Sequence, residues 1–441
     1  MMIYLESLGC ARNQVDSEIM LGRLKDAGHT IVADPARASA IIVNTCSFIA
    51  SAADEAVEVI LEMADHKKSG ACQRLIVTGC LSQRYKNDED LVSSLPEVDV
   101  FLGTSACNEI VTVLNPDLDL PYIRFEDPNL RPFQDLDTPR ELLTQYYAYV
   151  KVSEGCNRHC TYCIIPELRG RQRSRPVEEI CQDARQLVDK GVREIILTAE
   201  NTTDWGQDSE DEAGFEAVLE ALAGTVPESV WIRVLYTHPS SLSEPIIETI
   251  ARHDHICSYY DVPIQHAADP VLKRMGRPYG RQDLTALFET IRKKDPDAVL
   301  RTTLITGFPG ETEEDFNTLF EFVKTTGFDH LGVFTYSDAE DLPSHNLKDP
   351  VPEEVAQKRH DMLMSLQAGI SEEINISHVG QTVEVLVEEN PEEGLYLGRT
   401  RFQAPDVDGV TFIYDSGLEI GTRVRVKITD GFEYDISGEL A

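Results

Sequence analysis

Residues 153–166, SEGCNRHCTYCIIP, place Cys156, Cys160 and Cys163 in the spacing CxxxCxxC. Clustered thiols of this kind bind metal or do chemistry, and their number bears on which metal. A structural zinc site wants four closed ligands, usually with pairs of the CxxC type. Three thiolates on a four-iron four-sulfur cluster leave one iron without a protein ligand, where a small molecule can bind. His159 would complete a zinc site only by competing with its neighbour Cys160 for the same loop geometry. The spacing therefore predicts an open [4Fe-4S] cluster, with zinc as the rival. Tyr162, just before the third cysteine, is an aromatic able to pack beside an adenine.

Three further cysteines share a different kind of placement. Cys10 follows IYLESLG, Cys46 follows IIVNT and Cys80 follows LIVTG. Each stands at the C-terminal end of a predicted strand, and parallel strand ends converge on one edge of a sheet. A second three-cysteine cluster is predicted there, against the alternative of three unrelated core cysteines. Cys72, Cys107, Cys181 and Cys257 have no such placement and read as packing residues.

The elements that position these thiols follow from the apolar pattern. Over residues 1–117 short apolar strands alternate with helical stretches such as SEIMLGRLKDAG, which predicts a doubly wound parallel sheet. Residues 118–145, with Pro121, Pro128, Pro132 and Pro139, read as an irregular linker. Residues 146–375 repeat the strand–helix unit six times, predicting a partial TIM-type (β/α)6 barrel with its site at the C-terminal strand ends. Residues 376–441 switch to period-two runs such as TVEVLVEE, the mark of a small all-β, OB-like barrel. The fold class is thus α/β with a terminal β module.

Composition narrows the function. The net charge is −36, from 76 acidic and 40 basic residues, which repels nucleic acid at long range and argues against a DNA partner. No apolar run is long enough for a membrane span. The N-terminus, MMIYLESLGCARNQ, lacks a basic leader, so no export signal is predicted and the expected compartment is the cytoplasm. GxxxxGK[ST] and HExxH are both absent, leaving no support for a nucleoside triphosphatase or a zinc hydrolase.

CxxxCxxC with an aromatic before its last cysteine, after the first strand of a barrel, resembles the radical S-adenosylmethionine (SAM) superfamily. With SLGCARNQVDSE and NTCSFIASAADE upstream and the β module downstream, the whole chain resembles the methylthiotransferases. That resemblance implies two [4Fe-4S] clusters, SAM as both radical source and methyl donor, an electron-donor protein, and a terminal TRAM domain that reads the substrate. It makes Glu200 and Asn201 of LTAEN candidate SAM contacts, although this sequence departs there from the expected QD pair. In TTLITGFPGET, Gly307, Gly310 and Glu311 would bring backbone close to the cofactor, unless they only form a turn.

The family divides between enzymes acting on a tRNA adenosine and one acting on a ribosomal-protein aspartate. SYYDVPIQHAADPVLKRMGRPYG, with Asp261 and His266, resembles the ribosomal-protein branch, whereas the tRNA branch resembles HLPVQSGS there. GRTRFQAPDVDG points the same way. Residues 376–441 hold 13 acidic and five basic side chains, the wrong sign for gripping tRNA phosphates. The expected partner is therefore the basic protein twelve of the small ribosomal subunit, with tRNA the alternative substrate. A non-catalytic, metal-stabilised scaffold that binds ribosomal proteins is the alternative of another class. On this reading the first and third domains both face the barrel mouth, and Asp406 and Asp408 help to hold a basic loop.

Overall fold

The computed structural model describes residues 1–441 except 89, 132, 134–135 and 210–212, and leaves out the side chains of residues 69, 106 and 107. Cys107 therefore lies outside the described side chains.

The first domain contains β1 (Met2–Ser7), α1 (Ala11–Asp26), β2 (Thr30–Ile31), β3 (Ala40–Thr45), α2 (Ala50–Ser69) and β4 (Arg74–Gly79). It continues through α3 (Cys80–Arg84), α4 (Leu91–Ser94), β5 (Val100–Leu102) and β6 (Tyr122–Arg124). Its six strands are parallel in the order β2-β1-β3-β4-β5-β6. Every residue of β3 and β4 is buried because helices cover both faces. Ile41 and Val43 enter one core and Ile42 the other, following the two-residue period of a strand.

The segment expected to be irregular supplies β6, which pairs with β5 from Val100–Tyr122 onward. A proline directly before a strand is tolerated here because β6 lies at the sheet edge. The same segment then crosses α1, where the Glu141 amide donates to the Glu18 carbonyl at 3.1 Å. Arg140 is buried there between Glu18 and Asp183. At Arg140 and Glu141 it is a packed strap, held by partners that lie far away in sequence.

The second domain begins with β7 (Tyr147–Lys151), β8 (Ser153–Glu154), α5 (Ile165–Arg169), β9 (Arg173–Ser174), α6 (Val177–Asp189) and β10 (Glu194–Thr198). Next come α7 (Phe215–Ala223), β11 (Trp231–Val234), α8 (Glu244–Arg252), β12 (Tyr259–Asp261), α9 (Asp269–Arg274) and α10 (Arg281–Lys294). It closes with β13 (Val299–Thr306), α11 (Glu313–Thr326), β14 (His330–Thr335) and α12 (Glu353–Ser377). Strands β7, β10 and β11 form one parallel arc and β12, β13 and β14 another, joined by a parallel bridge between Ile232 and Ile256. This is the predicted six-stranded partial barrel. Among the described residues no helix is long and apolar enough to cross a membrane.

The third domain is a closed barrel of β15 (Thr382–Glu392), β16 (Leu395–Thr400), β17 (Thr411–Tyr414), β18 (Arg423–Gly431) and β19 (Ile436–Leu440). It docks at the N-terminal ends of the central strands and not at the mouth, contrary to expectation. Arg399 pairs with Glu194 at 2.7 Å, and the Tyr259 hydroxyl donates to Asp408 at 2.6 Å. Asp408 also lies 3.4 Å from Arg301, and Asp406 accepts from the hydroxyls of Tyr147 and Tyr149. Asp408 is thus consumed by internal contacts, whereas Asp406 stays exposed beside the two hydroxyls. From the other side, Val15 and Ile19 of α1 join Tyr149, Ile196, Trp231 and Tyr259 inside the barrel, with Leu386 and Ala404 of the third domain. All three domains share this core.

Candidate active site

The strand-end thiols meet where the order of the first sheet reverses, with β1 flanked by β2 and β3. Open α/β sheets bind ligands at such switch points. Cys10 caps α1 and Cys80 opens α3. Gly9, at φ +90°, has no side chain to hold Cys46 away, since a Cβ there would lie 2.6 Å from that of Cys46. Gly79, at φ +96°, likewise leaves room for Asn44 and Thr45. Burial pushes the Cys46 thiol up, and Cys10 adds to the shift. Burial also drives Cys80 up to about 11, opposed by the guanidinium of Arg169 and assisted by Cys10 and Cys46. Arg169 donates to the Cys80 sulfur at 3.6 Å.

The second set occupies the loop between β8 and α5. The Cys163 amide donates to the Cys160 carbonyl at 3.1 Å, and the Arg158 amide donates to the Cys156 sulfur at 3.4 Å. Arg158 anchors the loop by a forked pair to Asp204, at 2.6 and 2.8 Å. Burial raises Cys156 to about 11, and Glu200 and Asp204 push the same way. Burial raises Cys163 further, with Cys160, Cys156 and Glu200 adding. Among the described residues, no three His, Cys, Asp or Glu side chains gather as the ligands of a single ion would. A cluster suits such spaced soft donors, because each thiolate takes a different iron.

Glu200 bridges the two thiol sets. It pairs with Arg12 of α1 at 3.0 Å, so it joins the barrel strand end to the first domain. Asn201 donates to Asp204 at 2.6 Å and thereby steadies the partner of Arg158. Tyr162 packs edge-on against Phe308, with Arg277 over its ring at 5.8 Å. Gly307, Gly310 and Glu311 lie together after β13, Gly307 lining a cavity of about 290 Å³ with Tyr336, Ser344 and His345. Glu311 is turned inward: it accepts from the Gly307 amide, lies 3.4 Å from Arg359 and faces His266 at 3.5 Å. His266 is fully buried, and its Nδ1 accepts from the Ala268 amide at 2.9 Å. Cys72, Cys181 and Cys257 are buried, as packing residues would be.

Several residues that matter here escaped the sequence reading. Arg12 stacks over Tyr236 at 4.6 Å, and Tyr236 has a positive φ of 57°. The Tyr236 amide donates to Asp261, which pairs with Arg301, which reaches Asp408. This chain of contacts runs from the first domain to the third. Beside it, Asp16 of α1 is shared by Arg131, Lys151 and Arg169. Burial would raise its carboxyl, but these three cations hold it well below the ordinary range. The only sequence signal was a set of polar residues, Asn13 and Asp16, three apart on a helix that also carries Val15 and Ile19.

Known families match all three parts: uncharacterized protein family UPF0004 over residues 2–103, the radical SAM superfamily over 150–323 and the TRAM domain over 379–441. Among solved structures, the radical SAM methyltransferase TsrM from Kitasatospora setae, with cobalamin and a [4Fe-4S] cluster bound, is similar at a TM-score of 0.57. That likeness covers 78% of this chain and 74% of TsrM at 13% identity, so it speaks to the fold alone. Fold and families together define a radical SAM protein that carries a TRAM domain. Full-length relatives are more specific. The protein named ribosomal protein uS12 methylthiotransferase RimO from Desulfosudis oleivorans is 47% identical over 441 residues, covering all of both chains. The protein of the same name from Clostridioides difficile is 44% identical over 440 residues, covering 99% of this chain and 98% of its own. The chain belongs to the RimO family of methylthiotransferases.

Proposed function

We propose that this chain adds a methylthio group to the β-carbon of an aspartate in ribosomal protein uS12. The observation that carries this reading is the meeting of two three-thiol sets at one barrel mouth, joined by the Arg12–Glu200 pair. Cys156, Cys160 and Cys163 would hold the SAM-binding [4Fe-4S] cluster, and Cys10, Cys46 and Cys80 the second. When bound, these groups and SAM supply a carbon radical strong enough to abstract from an unactivated C–H bond, together with the sulfur to be transferred.

The chain's own residues do the positioning. Arg158 and Asp204 fix the cysteine loop, with Asn201 steadying Asp204. Tyr162 offers an aromatic edge for the adenine, and the backbone at Gly307 and Gly310 can approach the cofactor closely, while Glu311 braces that turn from inside. Glu200 serves mainly to hold the first domain on the mouth through Arg12. Side chains of α1 fill the barrel and exclude water beneath the site.

The strongly acidic chain attracts a basic partner and disfavours tRNA and DNA. Because Asp408 is buried in internal contacts, that attraction comes from the remaining acidic surface. An electron-donor protein is needed, and the cytoplasm, where ribosomes assemble, is the proposed compartment. The reading places no part of the protein in a membrane.

The test is anaerobic incubation of reconstituted protein with SAM, sulfide and reductant, offering uS12 and bulk tRNA in parallel, followed by mass spectrometry. The expected result is one methylthio group on a uS12 aspartate. Modification of tRNA with unmodified uS12 would overturn the assignment.

A further inference from the structure

We propose that Arg169 is a positioning residue that reaches from the barrel's cysteine loop into the strand-end site and sets the reduction potential of the cluster held there. The proposal rests on reading Cys10, Cys46 and Cys80 as cluster ligands.

Arg169 ends α5, the helix that begins two residues after Cys163, so it belongs covalently to the barrel site. Its guanidinium nevertheless makes its hydrogen bonds to groups of the first domain. One nitrogen donates to Asp16 at 2.7 Å, and the other donates to Asn13 at 2.6 Å and to the Cys80 sulfur at 3.6 Å. The residue is 3% exposed. A planar fork held at both nitrogens cannot swing away from the sulfur, which a flexible ammonium could do.

Charge makes this contact more than packing. Asp16 is shared with Arg131 and Lys151, so it does not belong to Arg169 alone. Asn13 is neutral. The third hydrogen-bond partner of the fork is a sulfur that becomes anionic once it binds iron, while Glu154 and Glu200 help to hold the guanidinium there. A hydrogen bond from a cation to a ligating sulfur stabilises the cluster after it has gained an electron, and so raises its potential. Among the described residues no side-chain cation donates a hydrogen bond to a loop thiol, although Arg277 lies near Cys160 and Cys163: the bond to Cys156 comes from a backbone amide. Arg12, near Cys10, adds a second cation on the strand-end side, although Glu200 partly offsets it.

The test is a redox titration of the reconstituted full-length enzyme followed by electron paramagnetic resonance, with iron content measured in parallel. The signal altered by adding SAM marks the barrel cluster, and the other marks the strand-end cluster. Arg169→Gln should retain both clusters but lower the strand-end midpoint by at least about 59 mV, a tenfold change in a one-electron equilibrium. The barrel midpoint should stay in place as an internal reference. Arg169→Lys keeps the charge but loses the fork, so its shift should be smaller and in the same direction. If the Gln variant does not fold, the Lys variant decides. An unchanged strand-end midpoint in a folded variant, or an equal fall at both clusters, would overturn the proposal. A wild-type protein showing one cluster and about half the expected iron would instead overturn the ligand reading beneath it.

Discussion

Cys156, Cys160 and Cys163 occupy one loop whose own turn brings them together, whereas Cys10, Cys46 and Cys80 arrive from three strand ends. The loop is held from outside by its anchor at Asp204 and by the bonds of Thr161 to the Arg274 and Met275 carbonyls. The strand-end set needs the parallel register of β1, β3 and β4, and two glycines that let the ends close. Their surroundings differ too. The loop sulfur of Cys156 accepts from a backbone amide and feels Glu200 and Asp204, while Cys80 accepts from a buried guanidinium. Local sites tolerate change elsewhere, and assembled sites inherit every weakness of the sheet that assembles them.

The largest effect that would sharpen this contrast comes from Gly9→Ala. The added Cβ meets Cys46 at 2.6 Å, and the backbone there has a φ of +90°. The variant should lose about half its iron, from about eight to about four per chain, all from the strand-end site. Equal loss from both sites would show that they are not independent.

Asp408 provides the next test, because it is remote from both thiol sets. Its carboxylate is fully buried, with Tyr259, Arg301 and His330 around it. Breaking a buried charged cluster from one side costs about 3–5 kcal/mol. Asp408→Ala should lower the melting temperature of the third domain's attachment in calorimetry, with both clusters still loaded. Iron loss from either site would extend the coupling farther than the contrast allows.

A smaller effect concerns the groups packed beneath the loop. Arg277 donates to His238 at 2.7 Å and lies over Tyr162. Burial, then Arg277 and Arg158, depress His238 from 6.5 to about 2. The unfolded chain takes up this proton below pH 6.5 while the folded chain does not. The stabilisation is therefore fully present above that pH and lost as pH falls, at about 1.4 kcal/mol per pH unit. His238→Gln should flatten the acid side of the stability profile, measured by denaturant unfolding at a series of pH values. An unchanged slope would remove His238 from the account.

Much of the site was legible because its signals are local. A three-cysteine spacing, apolar runs and the residue after each strand all survive in a linear reading. What was hidden depends on pairs far apart in sequence. Arg12 and Arg169 look like ordinary surface charges until α1 is laid into the barrel and α5 against the sheet. Asp406 and Asp408 look like an outward acidic turn, yet their hydroxyl and guanidinium partners lie more than a hundred residues earlier. Strand β6 was masked by the prolines around it, which a sheet edge accepts. Glu311 was expected to bring backbone close to a cofactor, and nothing local showed that Arg359 of α12 would pair with its side chain.

The central claim is that two separate thiol sets do two separate jobs. Iron content and 5′-deoxyadenosine formation should be measured together in the wild type and in two triple variants. One replaces Cys156, Cys160 and Cys163 by Ala, and the other replaces Cys10, Cys46 and Cys80. The account predicts about eight irons in the wild type and about four in each variant. SAM cleavage should be abolished only when the loop set is gone. Deoxyadenosine from the loop variant, or its loss from the strand-end variant with the loop cluster intact, would contradict the account.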